Sequence, residues 1–499
     1  MNRALHGNVF SSPAKPRPRG AFTPALIAAF VAAGIAGCTV GPNYSKPKAE
    51  VPTAFVETPE NWKQAQPSDA LEKGKWWQIY QDQQLNELEE QVNVSNQSLK
   101  AAEAQFAEAR AALRVTRSQK YPTITADPSA FHDRISANRP LLNTTTASSI
   151  KREYNDFVLP PIDVSYEADL WGRVRRLVEA SRSEAQASAA DLANVSLSLH
   201  AELATDYFQL RGLDAQKKLL DDNVQAFEKA LELTQNRFQG GLASAVDVAQ
   251  AQTILETTRA QSIDLGVQRS AFQHAIAVLV GKPASVFALP PLPLDTPPPV
   301  IPSGLPSDLL ERRPDISAAE RRVQEQNAQI GVAKAAYYPL VTLAGSGGFE
   351  STVITTLIQG PSGLYSLGGQ AAQTLFDGGK RKGTLEQARA TYDQSVDQYR
   401  ATILTAFQEV EDNLAALRIL EDEAGTQARA VAAAQHSLSL SETRYRGGVT
   451  NYLEVTTAQS AALSDEVTAV NLLTRRMAAS VLLIKALGGG WNVSQIPHV

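Results

Sequence analysis

The stretch RFQGGLASAVDVAQAQT, residues 237–253, returns 207 positions later as RYRGGVTNYLEVTTAQS, residues 444–460. Arg237 matches Arg444, Phe238 matches Tyr445, Gly240-Gly241 match Gly447-Gly448, Asp247 matches Glu454, and Ala251-Gln252 match Ala458-Gln459. One unit is used twice. Each copy lies in a long proline-free segment, 162–282 and 362–496. Proline costs about 3 kcal/mol inside a helix, so these segments are where long helices can form. The paired glycines are the strongest breakers in the middle of each segment and predict the bend of a helical hairpin.

Counting sets the helix lengths. From Arg173 to the first glycine pair is about 67 residues and from there to Gly281 about 38, or roughly 100 Å and 57 Å at 1.5 Å per residue. Arg381 to Arg446 and Asn451 to Leu487 predict almost the same pair. The mean helix of a globular domain has about 11 to 12 residues, so helices of this length must be flanked by other helices along their whole course.

The duplication extends beyond the hairpin. LKAAEAQFAEARAALRVTRSQKYP, 99–122, lines up with ISAAERRVQEQNAQIGVAKAAYYP, 316–339, through Ala101-Ala102-Glu103 against Ala318-Ala319-Glu320 and Tyr121-Pro122 against Tyr338-Pro339. Apolar positions Leu85, Leu88, Val92, Leu99, Phe106 and Leu113 recur at helical spacing, which predicts one helix from Gln83 to Lys120. Trp76 and Trp77 read as a plug of core beside it. After each Tyr-Pro the pattern turns from helix to strand. IDVSYEADLW, 162–171, alternates Ile162, Val164, Tyr166, Ala168 and Leu170 with Asp163, Ser165, Glu167 and Asp169, a period of two with the acids on one face. Weaker strand candidates are 122–132, 339–349 and 365–376, so each half contributes two strands joined by a polar loop, 133–156 and 350–364. Four strands cannot close a membrane barrel, since known ones start at about eight. If the strands enter lipid, several copies must share one barrel, and three copies would supply twelve strands.

The divisions follow: 1–37 a signal segment, 38–82 a proline-bearing tether, 83–282 a first repeat, 283–314 a linker with ten prolines, 315–488 a second repeat, and 489–499 a tail. The lone cysteine, Cys38, excludes an internal disulfide. A basic amino end (Arg3, Lys15, Arg17, Arg19) and an apolar run from Ala21 precede Ile35-Ala36-Gly37-Cys38, the layout of a secretory signal ending in small residues. The formal charge of −5 argues against nucleic acid, which needs a basic face. Histidines 6, 132, 200, 274, 436 and 498 show no metal spacing. Gly345-Ser346-Gly347-Gly348 lacks the pattern of a nucleophile elbow. The residues therefore predict no enzyme, no cofactor and no metal. Arg312-Arg313-Pro314-Asp315 reads as a helix start.

Together, CTVGPNY at 38–44, LLERRPDISAAERRVQEQNAQIGVAKAAYYPLVTL at 309–343, FDGGKR at 376–381 and the two glycine-bearing tips resemble the outer-membrane efflux ducts of the TolC and OprM kind, in their NodT-like lipoprotein branch. The resemblance implies a mainly α fold with a small membrane β-barrel portion. Duplicated helical hairpins would form a periplasmic tunnel, and four strands per chain would complete a twelve-stranded barrel in a homotrimer. It implies a passive route out of the periplasm, anchored in outer-membrane lipid through a lipidated Cys38. Thr39, which is not aspartate, favours sorting of that lipoprotein to the outer membrane. The implied partners are a periplasmic adaptor and an inner-membrane transporter of the resistance-nodulation-division type. The tips Gly240-Gly241-Leu242 and Gly447-Gly448-Val449 would dock the adaptor. Leu453 matches an apolar constriction and Glu454 an acid of the mouth, while Thr457 stands where OprM-like relatives carry an acid. Arg237, Asp247 and Arg444 are candidates for ion pairs linking the tips. A lipid-anchored periplasmic coiled-coil scaffold is the competing reading, but it has no use for the alternating strands.

Overall fold

A computed structural model describes residues 39–57, 75–134, 153–301 and 308–497. Cys38, the signal segment, His6, His498 and most of the expected 133–156 loop lie outside these residues. The chain divides into a strand unit, made of Gln119–Arg176, Gly331–Arg381 and the segment ending at Gly41, and a helical unit holding the rest.

The strand unit is an antiparallel sheet. β1 (Thr123–Ala126) and β2 (Ser129–Arg134) both pair with β3 (Glu153–Glu167), which pairs with β4 (Leu340–Ser351), which pairs with β5 (Gly363–Ala372). β1 and β2 follow one another along β3, so the sheet has four strand positions. The β3–β4 register shifts between Leu159 and Ile162, across Pro160-Pro161, where no backbone N–H exists to continue the ladder. Directly paired residues share a face, so Ile162, Val164 and Tyr166 lie beside Gly347, Gly345 and Leu343, while Asp163, Ser165 and Glu167 lie beside Ser346, Ala344 and Thr342. One face is apolar and the other polar.

The expected strand over 162–171 is corrected at both ends. It starts nine residues earlier, at Glu153, and stops at Glu167. Asp169 has a different use: its carboxylate accepts from the backbone N–H groups of Val174 (3.0 Å) and Arg175 (2.9 Å), capping the first turn of α3. The second repeat builds the same junction with Asp377, which accepts from the N–H groups of Gly379 (3.1 Å) and Arg381 (3.2 Å). The chain's first described residues dock here as well. Val40 donates to the Trp171 carbonyl at 3.0 Å, and a Cβ on Gly172 would lie 2.8 Å from the Thr39 side chain.

In the helical unit α1 (Gln83–Ser95) and α2 (Gln97–Ser118) replace the single helix expected over 83–120. The break is at Asn96, which is buried and extended; its side chain accepts from Leu99 N–H (2.9 Å) and donates to the Leu279 carbonyl (2.8 Å). An N-cap that also ties down another helix is worth more here than one continuous ladder. The remaining helices are α3 (Arg173–Gln239), α4 (Ala245–Leu279), α5 (Leu309–Arg312), α6 (Pro314–Ala335), α7 (Lys380–Arg446) and α8 (Tyr452–Ala486). Both long helices have 67 residues and both returning helices 35. The starts and ends of α3 and α4 recur in α7 and α8 at an offset of 207, whereas those of α2 recur in α6 at 217. The ten extra residues of the first repeat therefore lie between its Tyr-Pro and Arg173. Length and hydropathy alone would let α8 cross a membrane. Half of its most apolar window is nevertheless packed within this chain, as suits a core helix.

Buried charge, not apolar contact alone, pins the linker. Arg211 and Asp214 are both buried and paired at 2.9 Å; Asp214 also holds Arg269 at 2.6 Å. These three bind the linker backbone at Leu289, Pro290, Leu292 and Leu294. The linker ends sooner than expected, since α5 begins at Leu309 and Pro314 is itself the first residue of α6. Buried Arg313 pairs with Asp315 and Glu409 and donates to the Ala486 carbonyl, the C-terminal residue of α8. Trp76 and Trp77 are buried, and Trp77 stacks on His200, whose Nδ1 lies 2.6 Å from Glu89. Burial lowers the His200 pKa to about 4 and raises that of Glu89, which favours the neutral form of each.

Candidate functional site: the hairpin tips

Both long helices end in the same motif. The N–H of Leu242 bonds the Arg237 carbonyl (2.7 Å) and that of Gly241 the Phe238 carbonyl (2.9 Å); Val449 bonds Arg444 (2.9 Å) and Gly448 bonds Tyr445 (3.0 Å). This is the paired bonding of a Schellman cap, whose left-handed residue is Gly241 (φ +75°) in one tip and Gly448 (φ +72°) in the other. A Cβ at either would meet nothing within 4 Å among the described residues. The glycines are required by φ, not by crowding. Leu242 and Val449 follow them and are 74% and 71% exposed.

The two tips then differ. In the first, Ser244 caps α4: its hydroxyl accepts from Asp247 N–H at 3.2 Å, and the Asp247 carboxylate accepts from Ser244 N–H at 2.9 Å. In the second, Asn451 makes no side-chain cap bond. Glu454, the counterpart of Asp247, instead accepts from the Thr450 hydroxyl and lies 3.6 Å from the Arg444 guanidinium. It is also in the first turn of α8, where a carboxylate is favoured by the helix dipole.

Within one chain the charged residues proposed for ion pairs between tips have other partners. Asp247 is committed to its own helix start, and Arg444 pairs within its own tip. Arg237 does cross between tips, but to neutral groups: its guanidinium lies 4.7 Å from the centre of the Tyr445 ring and donates to the Arg446 carbonyl at 3.1 Å. That carbonyl is in the last turn of α7, where orphan acceptors favour a cation. Below it Tyr445 and Tyr452 meet edge to face at 5.1 Å, packed with Ala251 and Val455. Burial pushes the Tyr452 hydroxyl up to about 12.

Leu453 is 53% exposed, and Thr457 is exposed with its hydroxyl donating to the Leu453 carbonyl at 2.8 Å. Four apart on one helix, they share a solvent face with Glu454 at its margin. A groove of about 550 Å³ opens beside the tips, walled by Asp222 and Lys229 of α3, Glu442 and Arg446 of α7, and Tyr452 and Gln459 of α8. Thr450, Tyr452 and Arg446 escaped the sequence reading. The Phe238–Tyr445 match was the one signal that an aromatic position mattered here.

The outer membrane efflux protein family model matches residues 88–282 and 305–489, most of both repeats. The chain belongs to that family. Among its relatives, the toluene efflux pump outer membrane protein TtgC of Pseudomonas putida is 33% identical over 468 residues, 92% of this chain and 93% of that one. OprJ of Pseudomonas aeruginosa is 31% identical over 93% of this chain and 95% of its own length. In the solved structure of the outer-membrane channel OprN, at 28% identity, the fold superimposes with a TM-score of 0.83 over 91% of this chain and all of that one. This efflux protein is therefore an outer-membrane component built on long helical hairpins with a strand portion.

Proposed function

We propose that this chain is the outer-membrane duct of a tripartite efflux pump, performing no chemistry and offering a wet route from the periplasm to the exterior. The sheet carries the proposal. It has one polar face and one apolar face, and its outer positions, β1/β2 and β5, each pair with one strand only among the described residues. Open edges leave backbone groups unpaired, which lipid does not tolerate. Three copies pairing β5 against β1/β2 close a ring of twelve strands with Asp163 and Glu167 toward the lumen and Ile162 and Val164 toward lipid. Cys38, the residue before the docked Thr39, carries the lipid anchor at the amino end of the processed chain.

The tips form the periplasmic mouth. Gly240, Gly241 and Leu242, with Gly447, Gly448 and Val449, present exposed backbone and apolar side chains to the periplasmic adaptor. An inner-membrane transporter of the resistance-nodulation-division type supplies the energy. Leu453, Glu454 and Thr457 of three chains line the narrowest ring, Glu454 giving it a preference for cations. Purified protein reconstituted in planar bilayers tests the duct: heat-resistant trimers with ion conductance are expected. A detergent-free monomer without conductance would instead favour an anchored scaffold.

A further inference from the structure

The apolar face of the sheet is not flat. Along β4 two glycines, Gly345 and Gly347, take the places of side chains on that face. Ile162 and Val164 of β3 stand opposite them on one side, and Leu367 of β5 on the other. The result is a trough of about 620 Å³ within the strand unit, reaching from Pro122, Tyr166 and Leu343 to Gly347. That is the size of a small-ligand site; its side chains are apolar apart from the hydroxyl of Tyr166, since Ser346 lies on β4 with its side chain on the polar face. Glycine inside a strand often marks a close approach: at Gly345 it admits Leu367, whose Cδ2 would lie 2.9 Å from a Cβ there, whereas Gly347 is open, its nearest neighbours 3.8 Å or more away.

The amino end of the described chain lies at one end of this trough. Val40 bonds the Trp171 carbonyl (3.0 Å), Trp171 bonds the Pro339 carbonyl through its indole N–H (2.9 Å), and Ala168 bonds the Val341 carbonyl (2.9 Å). Tyr166 and Leu343, the trough's near end, are the paired residues just beyond. From Pro339, where Trp171 bonds, Gly345 is six residues along the chain, about 20 Å at 3.3 Å per residue. An acyl chain crossing one leaflet spans about 15 Å, half the hydrocarbon core. With the two residues from Cys38 to Val40 adding up to about 7 Å of reach, a chain attached at residue 38 extends from the docked end along β4 past Gly345 toward Gly347.

We infer that an acyl chain carried by Cys38 lies in the trough between β3 and β5 over Gly345 and Gly347, so that the anchor packs on its own sheet. The inference rests on the reading that Cys38 is acylated. Lipid from the bilayer is the competitor, with no hydrophobic advantage to either. What favours the tethered chain is its local concentration, fixed by an attachment that ends at the trough.

Cells fed a fatty acid bearing a diazirine near its tail, then irradiated, give full-length protein whose adducts can be mapped by peptide mass spectrometry. The expected product joins the peptide beginning at Cys38 to residues 340–351 or 162–167. Gly347→Leu should abolish it, because a side chain there fills the trough without clash, its Cβ being 3.8 Å or more from its neighbours. Gly368→Leu, on the opposite face, should leave it in place. An acylated Cys38 peptide combined with strand adducts only to free lipid overturns the docking and leaves the lipid anchor standing. A processed amino end with no acyl mass overturns both.

Discussion

The two hairpin tips share a backbone and differ in what they hold. Glycines Gly241 and Gly448 are left-handed at the same step, and the same cap bonds close both. Yet Phe238 is 47% exposed and its counterpart Tyr445 only 5%; Gln252 is exposed and Gln459 buried. The acids diverge in the same sense. Asp247 closes a capping box with Ser244, whereas Glu454, next to an N-cap that makes no side-chain bond, reaches Thr450 and Arg444. Duplication conserved the turn because φ demands it, while the side chains were free to divide the work: the first tip sends Arg237 across, and the second buries the ring that Arg237 covers.

The sharpest way to break this comparison is to cut both aromatics to alanine. Tyr445→Ala should cost about 3–5 kcal/mol, since it empties a buried, packed site under Arg237. Phe238→Ala, largely on the surface, should stay near 0.5 kcal/mol. Thermal unfolding of the purified protein measures both, and equal losses would mean that the second tip is no more buried than the first. Alanine at the turn glycines probes what the tips share. Gly241→Ala and Gly448→Ala should each cost about 1–2 kcal/mol, the penalty of a left-handed residue with a Cβ, and a clear inequality would show that one turn is supported by contacts the other lacks.

Much of this was legible because the strongest sequence signals act locally. Gly240-Gly241 and Gly447-Gly448 in proline-free runs locate the bends, and the alternation from Ile162 to Glu167 gives the sheet its two faces. What stayed hidden depends on partners remote in sequence. Asn96 breaks a helix whose apolar periodicity runs straight through it, because Leu279 offers a carbonyl from 183 residues away. Asp169 fits the alternation of β3 and still leaves the strand, since capping α3 competes for it. At the tips the charged residues were visible and their partners within the chain were not: Asp247 is held by a local capping box, and the Arg237 guanidinium meets an aromatic ring and a helix end.

The acids sharpen the comparison by separating stability from conduction. Asp247→Ala removes one arm of a capping box and should cost about 1 kcal/mol, with single-channel conductance in bilayers unchanged. Glu454→Ala gives up an exposed pair worth about 0–1 kcal/mol and, if its ring narrows the mouth, should weaken cation preference instead. Unaltered conductance and selectivity in Glu454→Ala would remove it from the mouth, and a change in Asp247→Ala would show that the first tip reaches the conducting path.

The smallest expected effect is the most specific. The Tyr445 hydroxyl is buried and has no hydrogen-bond partner among the described residues, so it contributes desolvation cost without a compensating bond. Tyr445→Phe keeps the ring under Arg237, keeps the edge-to-face contact with Tyr452, and deletes only the oxygen. Stability should be unchanged or rise by up to about 1 kcal/mol, in contrast with the large loss in Tyr445→Ala. A loss of more than that would mean the hydroxyl finds an acceptor once three chains assemble, and the burial that distinguishes this tip from the other would then serve contact between chains as well as packing within one.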